Sequence, residues 1–279
     1  MKNHRRLQKC LLFAALLLIA LVVLFPLLWA LSASLRSDEE LYAYMSPTTV
    51  HTFIPVTWTL NAYERLFQHY GFLQPIANSL IVCLATVLFG TALNSIAAVA
   101  FAMIDFRGKK LIYSVIVVTF MIPFESIALP LYKVCLSLGM INSLAGIFVP
   151  SLANGLVLFL FVQFFKDIPK GILEAAVIDG AKWRHLFFRM IVPLSGSIFV
   201  TAALVLFISQ WNAYLWPLLV AQSKSLRLIQ TRLSDFKTEE ATEWAAMYAA
   251  SMLSALIPLA LFLPFQKYYI QGITSGSLK

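Results

Sequence analysis

Residues 10–31 read CLLFAALLLIALVVLFPLLWAL, a run of 22 residues without a single charged side chain. An α-helix rises about 1.5 Å per residue, so a run of this length spans the roughly 30 Å hydrocarbon core of a bilayer. The proline within it is tolerated in a membrane helix, because neighbouring groups satisfy the freed backbone carbonyl. The run therefore predicts a transmembrane helix over Cys10–Leu31.

Five further apolar stretches of similar length follow along the chain. Each has the roughly 20 mostly apolar residues that a membrane helix needs. They are Pro75–Met103, Leu111–Leu129, Leu144–Phe165, Leu194–Leu219 and Ala245–Phe265. We therefore predict an all-α membrane protein with six transmembrane helices, in a single transmembrane domain over residues 1–279.

The composition excludes a soluble protein. Hydrophobic residues make up 60% and charged residues 12% of the 279, and the mean hydropathy is +0.82, whereas a soluble domain carries about a quarter charged residues. The net charge of +8 fits the basic inner loops of a membrane protein, so nucleic acid is not expected as a partner. The three cysteines and four histidines lie singly, without the spacing of a metal or redox site, and no catalytic group is expected.

The distribution of positive charge predicts the orientation. If the N-terminus lies inside, 14 of the 21 Lys and Arg residues fall in inner segments and seven in outer loops. Because cytoplasmic loops are enriched in Lys and Arg, both termini are expected in the cytoplasm. The basic start of the chain also resembles a signal peptide, but the first run is longer than the usual signal core of about 7–15 residues. We expect a retained helix, although small residues at 32–34 leave cleavage open.

The segment 166–193, between the fourth and fifth runs, is too amphipathic to be a simple connecting loop. Residues from Ile172 to Asp179 favour a helix, and Gly180 then supplies a left-handed turn of the kind that ends helices. Five apolar residues follow at spacings i, i+3, i+4, i+7 and i+8, which place them on one face of a second helix. They are Trp183, Leu186, Phe187, Met190 and Ile191. The pattern predicts two short helices that meet at Gly180.

Periodicity alone leaves two interpretations of this segment. A bent pair of helices with an apolar stripe suits docking into a groove of another protein. The same stripe, with Arg184, His185 and Arg189 beside it, also suits a helix lying on the anionic inner leaflet.

The residues themselves favour docking to a protein. Residues 174–181 read EAAVIDGA, and IVPL follows at 191–194. This pattern strongly resembles the EAA loop of ABC-transporter inner-membrane permeases, close to the carbohydrate-uptake branch (the maltose-type, type I importers). Further segments resemble the same family: WTLNAY at 58–63, FRGK at 106–109, WNAYLWP at 211–217 and GSLK at 276–279.

The resemblance implies an assembly. In that family two permease subunits, usually different, pair in the bacterial inner membrane above two ATPase subunits, and an external solute-binding protein delivers a sugar or sugar derivative. The chain has no GxxxxGKS or GxxxxGKT phosphate loop, so ATP and Mg²⁺ are expected on the partner ATPase and none is expected on this chain. The resemblance therefore implies a transport subunit that is not itself an enzyme.

The resemblance also implies roles for single residues of the loop. Glu174 is expected to make the polar contact in the ATPase groove. Ala175 and Ala176 are expected to keep the helix narrow enough to enter it, and Gly180 is expected to set the bend. Asp179 either braces the turn or is a solvated acid.

Polar residues within the apolar runs are candidates for the substrate path. Ionisable groups are costly in a membrane, and Glu125 is the clear case here; it either lines the path or pairs with a partner subunit or the headgroups. In the fifth run, Gln210, Trp211, Asn212 and Tyr214 combine aromatic faces with polar groups, as sugar sites do. The alternative is an aromatic belt near the outer interface, with Asn212 bonding between helices.

Other function classes fit the sequence less well. An ion-driven secondary transporter is expected to show inverted repeats and several intramembrane acids, and we find one acid and no repeat. A membrane enzyme needs converging His, Cys or paired acids, which are missing from the sequence. Within the importer class, a polyol or a glycerol phosphodiester stays open as an alternative to a sugar.

The orientation gives a first test. A reporter enzyme that is active only outside the cell should be active when fused after Gln222 and silent when fused after Gly180, because these positions fall in an outer and an inner loop. Activity is measured in whole cells, with immunoblots to match expression. The reverse pattern would contradict the orientation.

Overall fold

Helices make up nearly all of the regular structure. A computed structural model describes the backbone of residues 2–236 and 242–274, together with the side chains of 8–169, 171–236 and 242–268. No β-strand occurs among the described residues, which confirms the all-α prediction. The segment 276–279 that contributes to the family resemblance lies outside the described residues.

The chain divides into two compact units. One comprises Met1–Leu73 with Arg232–Ile257, and the other comprises Gln74–Thr231 with Pro258–Lys279. The helices of the first unit are α1 (Lys2–Ser34), α2 (Asp38–Ala43) and α3 (Asn61–Gln68), with 3₁₀ turns at Val50–Thr52 and Leu233–Phe236.

Helix α1 is apolar on all sides. Its segment Gln8–Ser34 is long and apolar enough to cross a membrane, and none of its most apolar stretch is buried inside the chain. Phe13, for example, is 70% exposed. A surface of this kind is stable only when lipid or another protein covers it.

The connection after α1 is organised by a buried ion pair. Arg36 is 1% exposed, lies 3.6 Å from the Glu40 carboxylate, and donates to the carbonyl of His51 at 2.7 Å. Glu40 accepts hydrogen bonds from the backbone N–H of Val56 at 2.8 Å and from both the N–H and the hydroxyl of Thr57. Burial acts to raise the pKa of Glu40, but these hydrogen bonds and Arg36 together hold it below its usual range.

A second polar cluster fixes the start of the last helix, α15 (Trp244–Thr274). Asp38 accepts from Arg65 at 2.7 Å and from the backbone N–H of Ala245, the second residue of α15, at 2.9 Å. The Tyr70 hydroxyl donates to Glu243. Burial, and then the bond to the Glu243 carboxylate, raise the pKa of Tyr70 to about 12, so the phenol keeps its proton.

The second unit contains most of the predicted membrane runs. Its helices before the loop 166–193 are α4 (Leu73–Met103), α5 (Lys109–Thr119), α6 (Phe124–Ser137), α7 (Leu144–Phe148) and α8 (Gly155–Lys166), with a 3₁₀ turn at Val149–Ser151. After α9 (Lys170–Ile178) come α10 (Trp183–Leu186), a π-helical turn at Phe187–Ile191, α11 (Val192–Leu194), α12 (Gly196–Trp211), α13 (Leu215–Val220), a 3₁₀ turn at Lys224–Leu226, and α14 (Ile229–Arg232).

Three of the predicted runs are not single helices: 111–129 and 144–165 are each divided between two helices, and the fifth run divides into α12 and α13. The axes of α5 and α6 differ by 104°, Leu144–Ser151 and α8 differ by 42°, and Trp183–Leu194 and α12 differ by 83°. Among the described residues, three helices are long and apolar enough to cross a membrane alone, and the bent pairs would raise the number to six.

Polar side chains satisfy the backbone where α8 begins. The Asn94 amide donates to the carbonyl of Leu152 at 2.7 Å, and its oxygen accepts from the N–H of Asn154 at 3.2 Å. Asn154 in turn caps α8 by accepting from the N–H of Val157. Asn94 thereby ties α4 to the start of α8.

The two broken regions pack against each other. A Cβ atom on Gly155 would lie 2.6 Å from the Cβ of Phe120, the residue that ends α5. Only glycine allows so close an approach, and Pro123 follows at the point where the chain turns into α6. A bend in one helix and a bend in the other therefore share one contact.

Candidate functional site

The candidate site is the segment that joins α8 to α12. We call residues 170–194 the elbow. It comprises α9, a turn at 179–182, and the continuous helical stretch Trp183–Leu194. The sequence predicts this arrangement of two helices and a bend.

The bend is a C-terminal cap of the Schellman type. Gly180 has φ +80°, and its N–H donates to the carbonyl of Val177 at 3.0 Å, while the N–H of Ala181 donates to the carbonyl of Ala176 at 2.9 Å. These two bonds satisfy carbonyls that the end of α9 leaves free. The predicted left-handed glycine at this position is confirmed.

The predicted apolar stripe forms but faces mostly into the chain, which corrects the expectation that the stripe itself docks to a partner. Leu186 and Ile191 are buried against the chain itself, at 2% and 0% exposure, and they secure the base of the elbow. Trp183 stays half-exposed. Phe187 and Met190 are half-buried beside Leu186 and Ile191, so four of the five stripe residues share one face, and that face packs inward.

The most exposed apolar side chain of the elbow lies at its tip, although Phe188 and Leu194 are exposed as well. Val177 is 55% and Ile178 is 85% exposed, and Trp183 follows just beyond the turn. On the same helix the Glu174 side chain is exposed, and Ala175 presents only a methyl group. Asp179 is exposed at the end of the helix, and only its backbone N–H, bonded to Ala175, takes part in the cap.

An open cavity of about 690 Å³ lies at the bend. Its walls carry the turn at Gly180 and five ionisable side chains: Asp179, Lys182, Arg184, His185 and Arg189. Arg189 donates to the Nε2 atom of His185 at 3.2 Å. We call this feature the cationic cavity; the sequence analysis missed it, because these residues come together only when the chain bends.

The four predicted path residues of the fifth run do not form one group. Gln210 and Trp211 are buried within the chain, at 3% and 2% exposure, and the Trp211 ring stacks on Phe207 at a centroid distance of 5.6 Å. Asn212 and Tyr214 are exposed, and the Asn212 amide donates to the carbonyl of Ile208 in its own helix. Of these four residues, only Asn212 and Tyr214 are therefore exposed on this chain.

A nearby tryptophan proves more structural than the sequence suggested. Trp216 is buried and donates through Nε1 to the carbonyl of Gly146 at 3.0 Å, and its ring meets Phe124 edge to face. A Cβ on Gly146 would lie 2.1 Å from the carbonyl oxygen of Met140. The Trp216 contacts join α6, α7 and α13. Gly146, in the sequence, is the mark of this close packing, and the sequence analysis did not use it.

Glu125 lies in the first turn of α6, two residues after Pro123 and directly beyond the 104° bend. Its side chain is exposed on the chain. A carboxylate in the first turn of a helix is stabilised by the helix dipole, so a structural reason for the acid stands beside the path hypothesis.

Comparison with known protein families decides the class. A family model described as binding-protein-dependent transport system inner membrane component matches residues 90–272. This match covers more than half of the chain and includes the whole elbow.

The chain belongs to this family. As an inner membrane component of that kind it is a multi-pass membrane protein of a binding-protein-dependent transport system.

Three relatives span nearly the whole chain. The arabinooligosaccharide transport system permease protein AraQ of Halalkalibacterium halodurans is 29% identical over 262 residues, covering 94% of this chain and 93% of that protein. The lactose transport system permease protein LacG of Rhizobium radiobacter is 26% identical over 279 residues (99% and 98%). The sn-glycerol-3-phosphate permease protein UgpE of Escherichia coli is 30% identical over 263 residues (91% and 92%). All are named as transport permeases, so this chain is a transport subunit and not an enzyme.

Solved structures show the same fold. A chain in the crystal structure of a bacterial ABC transporter involved in the import of the acidic polysaccharide alginate matches with a TM-score of 0.81 and 22% identity, over 95% of this chain and 96% of that one. A chain of the alginate transporter in complex with its alginate pentasaccharide-bound periplasmic protein matches with a TM-score of 0.64 and 15% identity. The broken helices therefore belong to an ABC-importer permease fold.

The different burial of neighbouring residues in α12 gives a second test. Trp211→Ala should lower the free energy of unfolding by about 3–5 kcal/mol, because it opens a cavity beside Phe207. Asn212→Ala loses one bond to its own helix and should stay within about 0.5 kcal/mol of the parent. Thermal unfolding of the purified protein in detergent measures both. Equal stability of the two variants would contradict the burial of Trp211, and normal uptake by Asn212→Ala would remove Asn212 from the path.

Proposed function

We propose that this permease forms half of the translocation path of an ATP-driven importer in the bacterial inner membrane, and that the elbow couples it to an ATPase subunit. The observation that carries the proposal is the division of the elbow into a buried base and an exposed apolar tip. Ile191 is fully buried, whereas Ile178 is 85% exposed.

A lever needs a stiff joint and a firm base. The base packs into the core of the second unit, where Ile191 joins Phe161 and Phe165, and Leu173 packs on the same cluster. The joint is the Gly180 turn, in which two backbone bonds fix the direction of the chain. A force applied at the tip would therefore pass to α8 and α12 instead of being lost in a flexible loop.

The tip fits a groove of a partner. An Ile side chain that is almost fully exposed to water is unfavourable unless a partner covers it. Glu174 stands one turn before Ile178 on α9 and would add a polar contact at the edge of that groove. Ala175 and Ala176 keep α9 narrow between them.

The remaining parts of the assembly are proposed on the same basis. Six spans follow if each bent pair contributes one crossing, the third through α12 alone, and the distribution of Lys and Arg favours cytoplasmic termini. A second permease subunit would complete the path and cover the apolar surface of α1. Two ATPase subunits would bind ATP and Mg²⁺, for which this chain has no phosphate loop.

We propose a sugar or sugar derivative as the solute. Relatives named for arabinooligosaccharides and lactose support this class. The relative named for sn-glycerol-3-phosphate, at 30% identity, keeps a glycerol phosphate or polyol as a second candidate. Within the path, Asn212 and Tyr214 would meet the solute, with Glu125 near the bend of α6, while Gln210 and Trp211 would support them from behind.

The joint provides the test of coupling. Gly180→Val places a branched side chain at φ +80°, where the left-handed backbone costs an L-residue about 1–2 kcal/mol, and it should redirect the helix that follows. Glu174→Lys keeps the helix and inverts the charge near the tip. We expect both variants to lower uptake and solute-stimulated ATP hydrolysis together, and Gly180→Val to copurify poorly with the ATPase. The affinity of the solute-binding protein for its solute should not change.

Gly171→Val is the matched control. Gly171 lies in the first turn of α9 with a helical backbone, and a Cβ there meets nothing within 4 Å. This variant should keep ATPase copurification and uptake. Normal uptake and normal copurification in both Gly180→Val and Glu174→Lys would refute the coupling assignment.

A further inference from the structure

The cationic cavity adds a chemical requirement to the elbow. Lys182, Arg184 and Arg189 place three permanent positive charges around one cavity, against the single carboxylate of Asp179. Among the described residues, none of the three cations has a carboxylate within 4 Å. The bond from Arg189 to His185 joins two basic groups and neutralises neither.

Three like charges held around one concavity favour an anion. A cleft lined by one sign of charge concentrates its potential, and repulsion among the cations falls when a negative group enters. The side chains of Lys182, Arg184 and Arg189 are exposed, so the cavity is open to a partner. Its volume, about 690 Å³, exceeds that of a single carboxylate and admits side chains carried on a protein segment.

We propose that the cationic cavity receives acidic side chains, Asp or Glu, from the ATPase subunit, and so fixes the register in which the tip of the elbow enters its groove. The inference rests on the proposed function, since it names the chemistry of the same partner. The tip supplies apolar contact through Val177 and Ile178, and the cavity is lined by the residues on either side of them, Ala176 and Asp179. A partner that covers the tip therefore reaches the cavity.

A protein partner fits better than a lipid surface. The inner leaflet is uniformly negative and would attract the cations, but it would repel the exposed acids Glu174 and Asp179 on the same elbow. A protein surface can place cations opposite the two acids and acids opposite the cavity. Such complementary patterns fix orientation and exclude wrong partners, which a coupling contact requires.

The test reverses the charge of the cavity without touching the tip. Lys182→Glu combined with Arg184→Glu should weaken the binding of the ATPase to the purified permease pair by at least about tenfold, the loss expected for close charge pairs at an interface. Added NaCl should weaken the parent more than the variant, because the variant has lost the screened interaction. The matched control is Arg107→Glu with Lys110→Glu, which makes the same change in net charge at exposed positions of another predicted inner turn.

The outcomes separate the inference from the proposed function. Weak ATPase binding in the cavity variant and parent-like binding in the control support the inference. Equal binding in both, while Ile178→Asp and Gly180→Val still release the ATPase, would overturn the inference and leave the coupling role intact. If Ile178→Asp and Gly180→Val also bind normally, the proposed function itself fails.

A lipid site gives a different pattern. In nanodiscs of phosphatidylcholine with and without phosphatidylglycerol, the parent and the cavity variant should respond alike to the anionic lipid. Normal ATPase binding together with a lost response to phosphatidylglycerol in the cavity variant would assign the cavity to lipid phosphate and overturn the inference. Thermal unfolding of each variant, expected to match the parent, excludes misfolding as the cause of a loss.

Discussion

A helix in lipid has to satisfy its own backbone hydrogen bonds, and the architecture of this permease depends on that constraint. Long apolar helices such as α4 meet it alone, but every break frees carbonyls and amides that need new partners. Where α8 begins, Asn94 supplies them from inside α4, and Asn154 caps the new helix. Gly155 then allows Phe120, at the neighbouring break, to pack directly against it. Two polar side chains and one glycine thus permit bent helices in a chain that is 60% hydrophobic.

The elbow solves the same problem outside the apolar helices. The Gly180 turn satisfies the last carbonyls of α9 and changes the direction of the chain in a single residue. Because two backbone hydrogen bonds fix the turn and Ile191 is buried at the base, the tip is held out as a rigid projection although the Ile178 side chain is 85% exposed. A rigid projection with an apolar tip and the cationic cavity next to it is suited to transmit movement from one subunit to another. In our account it is the joint through which ATP hydrolysis moves the membrane helices.

Much of this architecture follows from the sequence, and there is a physical reason for each part that does not. Hydropathy predicts the apolar runs well, since it measures what a bilayer requires, and Gly180 is predicted because left-handed turns favour glycine. The breaks are not predicted, because hydropathy does not distinguish a straight apolar helix from a bent one. The burial of Trp211 beside exposed Asn212 is missed for a similar reason: composition identifies an aromatic and polar cluster but not the direction of each side chain. The stripe after Gly180 is predicted from its spacing, but spacing alone does not tell whether the shared face packs inward or meets a partner, and four of its five residues pack inward.

The most direct test of the account is the accessibility of the tip. In a Cys10→Ser background, which removes the exposed native cysteine and leaves the buried Cys83 and Cys135, Ile178→Cys is labelled with a membrane-impermeant maleimide in inside-out vesicles. The account predicts rapid labelling of the permease pair alone and strong protection when the ATPase is coexpressed, with labelling restored once the ATPase is stripped away. Equal labelling with and without the ATPase would show that the tip does not enter a groove, and would contradict the coupling mechanism.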